Sequence, residues 1–263
     1  VHLVRQPRPH TLPANSRNHV SLANWKRMIT AHDIELRFGA RTLLTPTSFQ
    51  VATGDRIGLV GRNGAGKTTL TRVLAGEMQP AGGWVHRTAD VGYLPQDPRA
   101  ARADQIALDR ILGARELDVL IRKMHQAELE MSAGNRDALE RYGKLETRFL
   151  VAGGYSAQSE AERIAANLGL TERELRQELG TLSGGQRRRV ELARILFSGA
   201  KTLLLDEPTN HLDADSIVWL RDFLRTYPGG LVVISHDVAL MRTTVNKVFY
   251  LDANRTVLDQ YNL

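Results

Sequence analysis

Gly61-Arg62-Asn63-Gly64-Ala65-Gly66-Lys67-Thr68-Thr69 stands between the apolar run Ile57-Gly58-Leu59-Val60 and a stretch in which Leu70, Val73 and Leu74 share one helical face. The run reads as a buried strand that stops at a loop, and Lys67 to about Gly76 as the helix that follows. Strand, glycine-rich loop and helix in that order make a phosphate-binding loop. Backbone N–H groups of the loop and of the helix N-terminus converge on phosphate oxygens. Lys67 neutralises β/γ charge, and the Thr68 hydroxyl is a Mg²⁺ ligand. Asn63, Gly64, Ala65, Gly66 and Thr69, with Gly61 at the strand end, complete the expected phosphate contacts.

A second apolar strand, Thr202 to Leu205, delivers Asp206 and Glu207 at its C-terminal end, where ligands bind in open α/β sheets. Asp206 suits a direct or indirect Mg²⁺ role, and Glu207 can polarise an attacking water as general base. Further strands are expected at Trp84-Val85, Val91 to Leu94 and Leu231 to Ile234, with helices at about Gly184 to Phe197 and Ser216 to Arg225. Between Ile29 and Val60 the pattern is short and strand-like. Residues 104–179 are mainly helical, punctuated by Gly134 and Gly153-Gly154. Strand and helix alternation on both sides of a helical insert predicts an α/β domain with a mostly parallel sheet.

The chain has 263 residues, enough for a sizeable core, with 35 Lys plus Arg against 29 Asp plus Glu. The resulting +6 invites a nucleic-acid reading. Yet Arg5, Arg8, Arg17, Lys26 and Arg27 place +5 of it in residues 1–28, which hold no acid and three prolines, leaving +1 for the remainder. Residues 1–28 therefore read as a disordered basic leader. Cysteine is absent, which excludes disulfides and thiolate chemistry and fits a reducing cytoplasmic compartment. No apolar run approaches the roughly 20 residues a membrane helix needs. Arg187-Arg188-Arg189 fall on successive helix positions about 100° apart, so they form no single stripe. Solvated or helix-supporting roles are expected for them rather than nucleic-acid contact.

The pentapeptide Leu182-Ser183-Gly184-Gly185-Gln186, before an amphipathic helix and in company with the two motifs above, resembles the signature of ATP-binding cassette (ABC) ATPases. The resemblance implies a P-loop NTPase cassette with a mostly parallel core sheet, an antiparallel β subdomain and a helical subdomain. It further implies that Ser183 and the Gly184 and Gly185 amides bind the γ-phosphate of ATP held by an opposite cassette. By the same resemblance Gln96 contacts Mg²⁺ and the water, His236 contacts the γ-phosphate, and Asp213 lies in the loop that crosses between cassettes. Phe38, 23 residues ahead of Gly61, matches an aromatic that stacks on adenine.

Thr209-Asn210-His211-Leu212-Asp213 resembles the ABC-F branch, chains of two cassettes that act on the ribosome in translation or antibiotic resistance. From Gln96 to Leu182 the spacing is long, and the hairpin at about 105–150 reads either as the ribosome-touching arm of that branch or as an enlarged subdomain. The resemblance thus divides the chain into the leader and one nucleotide-binding domain, 29–263, with the helical insert at about 98–181. It makes the chain the first of two cassettes, and Met28-Ile-Thr-Ala, similar to a family N-terminus, marks residues 1–27 as non-native or an over-extended start. The implied ligands are ATP and Mg²⁺. The implied partners are a second cassette, supplied by the rest of the chain or by a homodimer, and the ribosome with its rRNA and tRNA. A transporter ATPase subunit coupled to a separate membrane domain is the alternative.

Overall fold

The computed structural model describes residues 27–96 and 102–263. The leader expectation for residues 1–26 lies outside them, but Arg27 and Met28 belong to the first strand, so that boundary falls earlier than composition indicates. Strands β1 (Arg27–Phe38) and β2 (Arg41–Ala52) pair antiparallel around the turn at Gly39, and β4 (Gly82–Arg87) adds to the other edge of β1 in the order β2-β1-β4. These are long strands rather than the short ones expected. Register shifts between Ala31 and Ile34 and between Ile34 and Leu36 break the strict alternation while keeping Ile29, Ala31, Ile34 and Leu36 buried.

The main sheet has the order β5-β6-β7-β3-β8-β9, built from β3 (Arg56–Gly61), β5 (Val91–Leu94), β6 (Thr202–Asp206), β7 (Gly230–Ile234), β8 (Lys247–Asp252) and β9 (Val257–Asn262). Its pairings are parallel except for β8 with β9. Every residue of β6 and β7 is buried, as a sheet covered on both faces requires. Leu203, Leu205, Leu231 and Val233 enter a core shared with the helices, while Leu204, Val232 and Ile234 enter a second core with Leu70, Val73 and Leu74 of α1 (Lys67–Ala75) and the antiparallel sheet. Each such side chain contributes roughly 1.5–3 kcal/mol. The strand ends are thereby fixed in one plane, and that plane carries the site.

The helical insert comprises α2 (Ala107–Leu112), α3 (Leu117–Ser132), α4 (Asp137–Val151), α5 (Gly154–Asn167) and α6 (Glu172–Leu175). α3 and α4 pack as a hairpin across Gly134, their outer faces exposing Leu129, Leu139, Leu150 and Val151. The insert is tied to α7 (Gly184–Phe197) by Glu191, which bonds Arg110 at 2.6 Å and Arg194 at 2.9 Å, and by Arg115, which pairs with Glu160 and lies over the Phe197 ring. α8 (Ala214–Thr226) and α9 (Val238–Thr244) complete the fold. No helix among the described residues is long and apolar enough to cross a membrane.

Candidate active site

The loop between β3 and α1 takes its shape from glycine. Gly64 has φ 75° and Gly66, the residue before α1, has φ 105°, conformations that side chains with a Cβ rarely adopt. The first turn of α1 holds no acidic residue and has no side-chain cap, so its amides and its positive dipole end face the loop uncompensated. Lys67 lies across the same loop, its Nζ donating to the carbonyls of Gly61 (2.8 Å) and Arg62 (3.1 Å). The arrangement is a cationic cradle suited to phosphate oxygens.

A cavity of about 670 Å³ opens over it, lined by Asn63, Gly64, Gly66, Lys67, Thr68, Thr69, Gln96, Asp206, Glu207 and His236. Phe38 closes its rim, 76% exposed at the β1–β2 turn, where its ring face is free to stack on a planar base. Two of the loop residues expected in the site do not line the cavity: Ala65 turns its methyl into the core, and Gly61 packs against β8. Only their backbone can serve a ligand. Arg41, Leu43, Thr209, Asn210 and Ile234 line the cavity without having been singled out as site residues. Nothing in the sequence marks Arg41, whereas Thr209 and Asn210 follow the two acids at the end of β6, after Pro208.

The acidic side of the cavity is set by neighbouring strands. Thr68 Oγ1 donates to Asp206 Oδ2 at 2.7 Å, joining residues 138 positions apart. Burial pushes the Asp206 carboxyl above its usual range, an effect opposed by the Thr68 hydrogen bond and by the charges of Arg188 and Lys67. Glu207 adopts φ 50°, a left-handed conformation that costs a non-glycine residue roughly 1–3 kcal/mol. It is held there by its N–H, which donates to the Ile234 carbonyl at 2.8 Å. Its carboxylate accepts the His236 N–H at 3.3 Å and lies 3.4 Å from His236 Nε2. A carboxylate and an imidazole therefore share the cavity with the cationic loop, and the Thr68–Asp206 bond joins that loop to the acidic strand end.

Ser183, Gly184, Gly185 and Gln186 are elsewhere. Ser183 caps α7: its Oγ accepts the Gln186 N–H at 3.2 Å, and Gln186 Oε1 accepts the Ser183 N–H at 2.7 Å. Leu182 is buried beneath them, Ser183 and Gly184 are exposed, and none lines the cavity. Asp213 also lies outside it. Its carboxylate caps α8 by accepting the Ser216 N–H at 2.8 Å, a bond that holds its pKa below the usual range. Residues 209–213 bridge the two regions, since Thr209 and Asn210 line the cavity and His211 sits beside Gly185. Arg187 and Arg189 donate to the carbonyls of Leu182 (2.7 Å) and Gly169 (2.8 Å), helix-supporting roles as expected. Arg188 departs from the solvated alternative, being only 6% exposed.

Residues 44–210 match a family model described as ABC transporter. The chain belongs to that family. It is 37% identical to the tylosin resistance ATP-binding protein TlrC of Streptomyces fradiae over 85% of this chain and 42% of that one. It is also 36% identical to the probable ATP-binding protein YheS of Haemophilus influenzae, over 89% of this chain and 36% of the relative. These are ABC-F-type ATP-binding proteins, the branch that Thr209 to Asp213 resembles. The cassette spans about two-fifths of their length. Its fold is that of an ATP-binding subunit of an ABC transporter (TM-score 0.65, 19% identity, 90% of both chains) and of a dimeric bacterial ABC transporter cassette (TM-score 0.63, 20% identity, 90% and 99%). The fold class read from the sequence is thus the one found.

Proposed function

We propose that this cassette binds ATP and hydrolyses it with Mg²⁺, working head to tail with a second cassette as an ABC-F clamp on the ribosome in the cytoplasm. The observation that carries the reading is that one cavity joins the cationic loop, the Thr68–Asp206 pair and the Glu207–His236 pair, while the Ser183 segment lies outside it. A cassette so built needs a partner to bring a second Ser183-type segment to its phosphates. Relatives more than twice as long as this chain support a second cassette in the same polypeptide.

Among the described residues no three Asp, Glu or His groups converge as a preformed metal cage. A hydroxyl in contact with one carboxylate instead fits Mg²⁺, which keeps waters and takes substrate phosphate oxygens. Thr68, Asp206 and Gln96 would hold it, and its charge would offset that of the nucleotide's phosphate oxygens. The loop amides, the α1 N-terminus and Lys67 bind the phosphates and stabilise charge as the γ-phosphoryl group separates. Glu207 orients a water in line and accepts its proton as ADP and phosphate form; His236 steadies both Glu207 and the γ-phosphate. Phe38 stacks on the adenine, and Asp213 carries contact to the opposite cassette.

The resistance named for TlrC and the α3–α4 hairpin support a ribosomal partner; net charge adds little, since residues 29–263 carry only +1. The test is sedimentation of the Glu207→Gln chain, extended to its second cassette, through a cushion with ribosomes. Pelleting with ATP but not with ADP is expected; nucleotide-independent pelleting, or none, would remove the ribosome from the reading.

A further inference from the structure

Arg188 sits in the second turn of α7, five residues after Ser183, and its guanidinium lies across the ends of β5 and β6. The two strands pair in register up to Leu94 and Leu205, beyond which the ladder stops and leaves carbonyls without strand partners on that side. Arg188 takes them. Nη1 donates to Pro95 O at 3.0 Å and also to Gln96 O; Nη2 donates to Asp206 O at 2.7 Å and Glu207 O at 3.0 Å. Burying a guanidinium is costly unless its donors are bonded, and here one planar fork serves four acceptors on two loops. Those loops end in the side chains that face the γ-phosphate end of the cavity. Glu207 in particular holds a strained backbone, and the Arg188 bond to its carbonyl restrains that conformation together with the Asn210 N–H, which donates to the same carbonyl at 3.3 Å, and the Glu207 N–H, which donates to Ile234 O.

We propose that Arg188 is a positioning residue: it locks the Gln96 loop and the Asp206–Glu207 segment into one arrangement and ties both to the helix that begins at Ser183. The proposal rests on the ATPase reading given above. Movement of α7 when Ser183 meets a nucleotide on the opposite cassette is then transmitted by one side chain to the general base and to Gln96. Neighbouring Arg187 and Arg189 do not share this role, because they bond carbonyls of the α7 surroundings only.

Arg188→Met keeps a long apolar stem and removes the donors. Turnover should fall about 10- to 100-fold, as expected when catalytic groups shift without being lost, while ATP affinity changes by less than about threefold. Amide exchange should rise in residues 91–96 and 203–210 and stay unchanged in the 61–69 loop. Arg188→Lys retains the cation without the fork and should show the same pattern to a smaller degree; it serves if Arg188→Met does not fold. Guanidinium added to Arg188→Ala should restore part of the turnover, which a packing role would not allow. Turnover within about twofold of wild type, or unchanged exchange in both segments, overturns the proposal. Wild-type protein without Glu207-dependent turnover would instead defeat the ATPase reading, and the exchange pattern would still decide the role of Arg188.

Discussion

Gly66→Ala isolates what the phosphate loop demands of its backbone. A Cβ at residue 66 would lie 3.1 Å from Leu43 Cδ1, 3.2 Å from Leu43 Cβ and 3.6 Å from Leu251 Cδ2, so the buried Leu43 must retreat by a few tenths of an ångström. The positive φ costs about 1–2 kcal/mol once a Cβ is present, and crowding a packed site adds about 1–3 kcal/mol. Reduced freedom of the unfolded chain returns about 0.4–1 kcal/mol. The net expectation is a loss of about 2–3 kcal/mol. Gly64→Ala is the internal control: Gly64 also has positive φ, but nothing lies within 4 Å of its Cβ position, so only about 1 kcal/mol should be lost. Urea unfolding followed by circular dichroism gives both values, with an unchanged m-value showing that stability alone has moved. ATP titration should show Gly66→Ala weakened at least about tenfold, since the amides that converge on phosphate move with the loop. Equal stability losses in the two variants would refute the steric argument.

Two other substitutions separate binding from folding. Phe38→Ala should weaken ATP by about 1–3 kcal/mol, the worth of one base–aromatic stack, while leaving the unfolding midpoint unchanged because the ring is solvent-exposed; unchanged affinity would return Phe38 to the surface. Asp213→Asn should retain the α8 cap, because Asn caps as well as Asp. The wild-type carboxylate has a lowered pKa from its Ser216 bonds, so its contribution to stability is present above the ordinary carboxylate range and is lost as pH falls through the folded value. The variant should lack that acid-side decline, and any fall in turnover at neutral pH would then report the interface role rather than the cap.

The parts of this cassette that local chemistry dictates are legible in its sequence. α1, β5 and α7 were bounded to within a residue because a loop glycine, a capping serine or a run of apolar residues punctuates each. The sequence reading does not include β8, β9 and α9: Val248 to Leu251 is an apolar run like that of β5, whereas Val257–Asn262 is mixed in polarity and β9 joins the sheet through β8, which in turn pairs with β3. The site divides in the same way. The phosphate loop is a local motif, whereas the Thr68–Asp206 and Glu207–His236 contacts come from strand order, which only the fold supplies. Three adjacent arginines look alike in a sequence. Which of them is buried depends on the strand ends that α7 crosses, so the solvated alternative fails for Arg188.

Glu207 carries the account, through its forced backbone, its contact with His236 and its place opposite the loop. The most direct measurement compares ATP binding and ATP turnover in wild type and Glu207→Gln on the same preparations. Glutamine keeps the shape and cannot accept the proton, so ATP affinity should hold within about threefold while turnover falls by about 10²–10⁴. Turnover equal to wild type would contradict the assignment of Glu207 as the base, and with it the proposed chemistry of the cavity.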